Sequence, residues 1–516
     1  MNQQSAWKQK LSSLPAAVKA AFLSCLVLGL AIHLFAFTNI IPNSDGLSRV
    51  YDAQQMTVSG RWFLHYASGF HGFLQAPSLI GILSLIFLAI SAAMIADLLK
   101  LRRVSSGIFC AGALTAIPAL AYTYLYMFTA SAYAFAILLS TASVWLLRRT
   151  RWGFFPAVLL LACSLGTYQA YFSIAVALCL MCAIFDLLDS EKPVGATVRS
   201  GLLSLAMLAA AALVYVILLK VFLTVKDLEL LEYRGIRDSS QGLALTTLLL
   251  NILRAYKQII SYFLLPAFSN PLLTLGNWAI LVLGAAGGIL LLCSRRPEPA
   301  RLALLILGLF LMPLACNVTR LISEVSPNMA YSFACLYLFA AAILDRVDRP
   351  VLMRLEGVTA ALIILGGAQI ANLAYISSAT AHRATQTFAT NLVARVEQTP
   401  GYQRDMDVLV IGPFPSNYYT SAREIFAPVE HYSCDSNTVI TRNKHVYYYL
   451  NTWLNVPWPE PSEDVMQAVS DSELFQSMPL YPSDGSVRID GDRVIVKLAD
   501  RYTPKQPYEI AYEHRR

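Results

Sequence analysis

Apolar runs of about 20 residues recur from the N-terminal region to residue 377, each long enough for a helix to cross ~30 Å of hydrocarbon. Lipid offers no hydrogen-bond partners to a bare backbone, so runs of this length have to be helical. The candidate spans are 19–41, 78–99, 106–122, 127–147, 153–167, 169–188, 201–223, 272–293, 301–318, 329–346 and 355–377. The fifth and sixth are short and nearly continuous. Composition agrees: 56% of residues are apolar and only 14% charged, where a soluble globular chain carries roughly a quarter charged. Mean hydropathy is +0.54. The expected fold class is an all-α polytopic membrane protein of about eleven transmembrane helices, with a small C-terminal α/β domain outside the membrane.

The connections between spans set the topology. Lys8, Lys10 and Lys19 place the N-terminus, residues 1–18, in the cytoplasm. Alternate connections should then be short and basic, as are "KLRR" (100–103), "RRTR" (148–151), "EKPVGATVR" (191–199), "SRRPEPAR" (294–301) and "DRVDRPVLMR" (345–354). The net charge of +7 resides largely in such clusters, so it reports topology rather than nucleic-acid binding. The opposite face carries everything long: loop 42–77, segment 224–271, the short 319–328, and a tail, 378–516. Within the second, "GLALTTLLLNILRAYKQIISYFLLPAF" (242–268) has a helical apolar pattern interrupted by Arg254 and Lys257, which suits an interfacial or re-entrant helix. A further span there would break the phase of the basic connections.

The domains expected are therefore a transmembrane domain over 19–377 and an extracytoplasmic α/β domain over 378–516. The tail shows a helical approach (384–399), a buried-type strand "DVLVIG" (407–412), the segment "HVYYYLNTWL" (445–454), and a final strand "DRVIVKL" (492–498) after a "DGD" turn. It carries no GxGxxG, Walker A or HExxH signature. Eight of nine cysteines lie in apolar runs; Cys434 alone is in a polar region and makes no intrachain disulfide, and no zinc spacing appears. The first apolar run lacks a small-residue cleavage site, so it reads as a retained span.

Three stretches on the exterior side carry groups capable of chemistry. The first is "NSDGLSRVYDAQQMTVSGRW" (43–62), too long for a connector and mixing carboxylates with arginines. Were it helical from Ser44, Asp45, Arg49 and Asp52 would share a face. An ordinary interfacial ion-pair cluster would also place charges here. Length, the aromatics Tyr51, Trp62, Phe63, Tyr66, Phe70 and Phe73, and the pairing of a base (Asp45, Asp52) with anion-holding arginines (Arg49, Arg61) favour a site. The second is "LGTYQAYFS" (165–173), where Tyr168, Gln169 and Tyr171 could hold a sugar or could form an aromatic-belt turn. The third is Arg320, one helical turn before Glu324. An arginine on this face runs against the topological bias and needs a partner, either Glu324 or a lipid phosphate. Lys226, Arg234, Arg237, Arg254 and Lys257 add positive charge to the same face.

On "SDGLSR" (44–49), "GRW" (60–62) and "GTYQAY" (166–171), together with the alternation of short basic and long exterior loops, the chain resembles the C-type-fold membrane glycosyltransferases. More narrowly it resembles the GtrII-type glucosyltransferases of O-antigen modification, known from serotype-converting phages and bacterial chromosomes. The resemblance implies transfer of a hexose, glucose by likeness, from undecaprenyl phosphate to a lipopolysaccharide-type surface glycan at the periplasmic face of the bacterial inner membrane. It implies Asp45 as general base, with Asp52 as a possible helper. Arg49, Arg61, Arg320 and Lys257 would serve the donor phosphate, and Tyr168, Gln169, Tyr171 and Trp62 the sugar or acceptor. Gly46 stands where such enzymes often have a second acid, which argues against a bound divalent metal. No cofactor is expected, because the lipid-linked sugar is a substrate, and a single phosphate needs only modest positive charge. Two other classes compete, beside a purely structural scaffold role. A flippase or transporter would place polar residues mid-span, and here the spans are nearly free of charge. An O-antigen polymerase or ligase would put its basic residues and a histidine in one large late exterior loop.

Overall fold

The computed structural model describes residues 13–48, 50–189, 191–230, 245–415, 423–429 and 438–504. Among these, nine helices are long and apolar enough to cross a membrane; a bent pair, Val104–Thr115 and Pro118–Leu125, makes a tenth span when counted as one. The 14-residue Phe154–Thr167 is a further, shorter apolar helix. Every apolar run of the sequence is thus a helix. Proline opens many of them: Pro77, Pro118, Pro271, Pro299 and Pro350 each stand at a helix start, where the missing N–H would be unpaired anyway and the fixed φ suits the first turn.

The chain divides into two compact units, Met1–Thr38 with Ala53–Asn372, and Asn39–Asp52 with Leu373–Arg516. In the first, the basic connections mesh with one another at one end of the bundle. The buried Asp345 carboxylate accepts from the backbone N–H of Arg102 (2.9 Å) and of Arg103 (3.1 Å), and Arg103 reaches Asp348 at 3.1 Å. Arg149 pairs with Asp97 at 2.8 Å, while Arg148 and Lys192 both grip Asp186. Arg301 donates to the Asp189 carbonyl at 2.9 Å. Residues that alternate in sequence between loops meet in space, as one shared membrane face requires.

Two features depart from the sequence expectations. The run 106–122 is not one straight helix: its two halves are bent by 43° at the break before Pro118, because a proline cannot donate to the preceding turn. The run 355–377 and the helical approach 384–399 are a single helix, Pro350–Glu397, 48 residues long. Between Gly367 and Pro400 the sequence offers neither glycine nor proline to end it. Its part up to Asn372 belongs to the first unit and the rest to the second.

The second unit has a three-stranded sheet, β1 Asp407–Ile411, β2 Val487–Asp490 and β3 Arg493–Lys497, in the order β1-β3-β2. β1 and β3 are parallel with Val408 opposite Val494, and β2 and β3 form an antiparallel hairpin across the expected turn. The parallel pair β1 and β3 is buried on alternate and neighbouring positions alike, as strands covered on both faces should be. One apolar core joins Val408, Val410 and Val494 to Phe388 and Leu392 of the long helix and to Val446 and Leu450 of helix Asn443–Trp453. Leu47, from the segment 39–52, lies in that same core with no exposed surface.

Candidate active site

The motifs "GRW" and "GTYQAY" are in direct contact. Phe63 N–H donates to the Gly166 carbonyl at 2.8 Å. The Gln169 amide donates to the Ser59 carbonyl at 3.4 Å and to the Tyr215 hydroxyl at 3.0 Å, and that hydroxyl donates to the Gly60 carbonyl at 3.1 Å. Glycine is required at both touching points. Gly60 has φ +80°, and a Cβ there would lie 2.6 Å from the Gln169 amide; a Cβ on Gly166 would lie 2.5 Å from the Trp62 indole.

Arg61 sits over this joint. Its guanidinium donates to the Tyr133 hydroxyl at 3.2 Å and lies 4.9 Å from the Tyr168 ring centroid. Tyr133 and Tyr168 stack at 4.4 Å, and Trp62 stacks on Phe222 at 5.2 Å. Tyr168, Tyr171 and Trp62, expected as sugar-facing aromatics, are 3%, 1% and 5% exposed. Their faces are covered by protein, and Gln169 is committed to the loop. The structure therefore makes them the packed base beneath Arg61 rather than an open sugar platform. Tyr133 and Tyr215, which complete the cluster, lie within the helices Met127–Arg149 and Val194–Val225 and carry no local sequence signal. His71 in the same loop is buried against the Ser131 hydroxyl (2.8 Å), and burial pushes its pKa down to about 4, so it stays neutral.

A second group lies at the same end of the bundle, linked through Thr319, whose hydroxyl meets that of Ser173 at 3.0 Å. Arg320 follows directly. With Arg254, Lys257, Gln258, Ser261, Glu324 and Val325 it lines an open cleft of about 400 Å³. Helix Leu245–Leu264 supplies the far wall. It is long enough but not apolar enough to be a span, and it buries Asn251, Ala255, Ile259 and Phe263, every fourth residue. Leu249, Leu253, Ile260 and Leu264 are left exposed on another side, as suits a helix lying at a lipid interface. Polar ties hold it in place: Asn251 donates to the Leu321 carbonyl (3.1 Å) and Gln258 to that of Val325 (3.2 Å). Arg320 donates to the Ser323 carbonyl at 3.3 Å. Glu324 also lines the cleft, yet among the described residues no ion pair joins it to Arg320, so the intrachain partner expected for that arginine is not used. Among the described residues three cations face one carboxylate, a balance that suits a monoanionic or dianionic group.

The acids lie in the other unit. The turn Ser44–Gly46 is a single 3-10 turn, capped by the Asn43 side chain, which accepts from Asp45 N–H at 2.8 Å. Asp45 is exposed and Asp52 half-buried. Asp45 and Asp52 do not share a helical face, because Leu47 leaves the turn for the apolar core instead of continuing a helix. Arg49, Arg234 and Arg237 lie outside the described residues.

No curated protein and no solved structure matches the chain. A family model does, that of glucosyl transferase GtrII, over residues 34–344. The match takes in Asp45, the "GRW"–"GTYQAY" joint and the Arg254–Lys257–Arg320 cleft, and ends before the long helix Pro350–Glu397. It covers more than half of the 516 residues, and the chain belongs to the GtrII glucosyl transferase family.

Proposed function

We propose that this glycosyltransferase moves glucose from a polyprenyl-phosphate carrier to a cell-surface glycan of the O-antigen type, on the periplasmic face of the bacterial inner membrane. The observation that carries the reading is the cleft where Arg254, Lys257 and Arg320 gather opposite the Glu324 carboxylate. It lies beside a helix with an exposed apolar side, a combination suited to a lipid whose head is a phosphate. In the proposed reaction Asp45 takes the proton of an acceptor hydroxyl, whose oxygen forms a bond to the sugar's anomeric carbon. The bond from that carbon to the carrier's phosphate oxygen breaks, and its electron pair stays on the phosphate. Arg320 and Lys257 stabilise the charge that grows there. Arg61, poised on its tyrosines, orients the first exterior loop. In this topology the N-terminus is cytoplasmic and the C-terminal unit periplasmic.

The test is donor choice. Purified enzyme in lipid vesicles is given glucose on polyprenyl phosphate or on a nucleoside diphosphate, with EDTA present. Transfer from the lipid donor alone, undiminished by EDTA, is expected. Transfer from the nucleotide sugar, or loss of lipid-donor transfer in EDTA, overturns the reading.

A further inference from the structure

Asp45 is an exposed residue between buried neighbours. Asn43 is 4% exposed, Gly46 is buried and Leu47 has no exposed surface at all. The turn between them is fixed at both ends: on one side by the Asn43 cap, on the other by Leu47. What receives Leu47 is the core of the C-terminal unit, alongside Phe388, Val446 and Leu450. The backbone beyond Asp45 is gripped there too. Trp453 Nε1 donates to the Leu47 carbonyl at 3.3 Å and the Thr452 hydroxyl to the Ser48 carbonyl at 3.4 Å. Both donors come from the end of helix Asn443–Trp453. Segment 39–52 accordingly clusters with Leu373–Arg516, although helix Ala16–Thr38 before it belongs to the other unit. The family match stops at residue 344. A part of the chain beyond that match therefore holds a segment within it.

We infer that the C-terminal unit is a positioning element for transfer: Leu47 anchors, and Trp453 and Thr452 clamp, the turn that presents Asp45. The inference rests on Asp45 being the base, as proposed above. An apolar anchor two residues from an exposed acid fixes where the carboxylate stands without shielding it from an acceptor. Transfer needs that carboxylate within hydrogen-bond reach of the acceptor hydroxyl, and a displacement of about 1 Å at such a group costs on the order of 100-fold in rate. Donor binding does not depend on the anchor, so its loss should appear in kcat and not in the donor KM.

The experiment compares Leu47→Ala, Leu47→Met, Trp453→Phe and Asp45→Asn, alone and with Asp45→Asn added, in full-length enzyme purified in equal amounts. Leu47→Ala should lower kcat by roughly 10- to 100-fold with the donor KM changed by less than about twofold. Leu47→Met, which keeps volume, should restore most of it, and Trp453→Phe, which keeps the ring but loses the N–H, should give an intermediate loss. Adding Leu47→Ala to Asp45→Asn should cost nothing further, because a positioning residue acts through the group it places. Normal kcat in both Leu47→Ala and Trp453→Phe, or losses that multiply with that of Asp45→Asn, overturns the inference while leaving the base assignment intact. Full activity of Asp45→Asn itself overturns both. Should Leu47→Ala not accumulate in the membrane, Trp453→Phe carries the same comparison.

Discussion

Adding one methyl group at Gly166 should separate the two motifs on which the site is built. A Cβ there would stand 2.5, 2.8 and 2.9 Å from atoms of the Trp62 indole, whereas ordinary contact begins at 3.4 Å. The ring must retreat by 3.4 − 2.5 = 0.9 Å. It has little room, being 5% exposed and stacked on Phe222. Overpacking of this kind costs about 1–3 kcal/mol. The larger effect falls on Arg61, the preceding residue, because a shift near 1 Å at a site residue can cost on the order of 100-fold in rate. Gly166→Ala should therefore lower transfer by one to two orders of magnitude, by roughly that reasoning, and reduce thermal stability modestly. Trp62→Phe in the same chain removes the indole's second ring and should return much of the lost activity. Gly201→Ala is the control, since a Cβ at that position meets nothing within 4 Å. Measured in vesicles at equal enzyme amount, equal activity of Gly166→Ala and Gly201→Ala would refute the reasoning.

Arg320→Ala should lower kcat roughly 10- to 150-fold, the loss of one charge-assisted hydrogen bond of about 1.5–3 kcal/mol, and Arg320→Lys should recover only part because the planar fork is gone; steady-state kinetics on the lipid donor decide this. Asp345→Asn should destabilise the first unit by about 1–3 kcal/mol, since both carboxylate oxygens accept backbone N–H groups and an amide offers one acceptor; a thermal melt equal to wild type would contradict it. In the C-terminal unit, burial holds the pKa of His445 down to about 3, with Lys444 and Arg442 adding repulsion. The unfolded chain titrates near 6.5, so it binds more protons than the folded unit below that pH, and stability should fall as pH drops through 6.5 and stay flat above it. His445→Gln should flatten the pH dependence of the melt, and an unchanged slope would show that another group is responsible.

Hydropathy made the helices legible, often to within a few residues, as for 78–99 against Pro77–Leu98. It did not say where a helix stops. Leaving the membrane changes side-chain polarity without breaking the backbone, which is why 355–377 and 384–399 fall in one helix. The bend before Pro118 follows from that proline alone, in a run otherwise uniformly apolar. Of the candidate site, the structure brings residues 60–62 and 166–171 into contact and lines one cleft with Arg320 and Lys257. Their roles were harder to read. Tyr168, Tyr171 and Trp62 look the same in sequence whether they face a sugar or are covered by Tyr133 and Phe222. Charge spacing in the acidic loop would put its carboxylates on one face of a helix, but the fate of Leu47 depends on a core more than 340 residues farther along the chain, which includes Phe388 and Leu450. No local pattern could have announced that tie.

If Asp45 is the base of transfer from a lipid phosphate, its carboxylate has to take the proton of the acceptor hydroxyl. Single-turnover transfer from polyprenyl-phosphate glucose by Asp45→Asn and by Asp52→Asn tests it most directly. Asparagine keeps the size of the side chain but cannot accept the proton, so Asp45→Asn should be slower by at least ~100-fold, with donor binding and protein level unchanged and Asp52→Asn much less affected. Near-normal transfer by Asp45→Asn together with failure of Asp52→Asn would contradict the account.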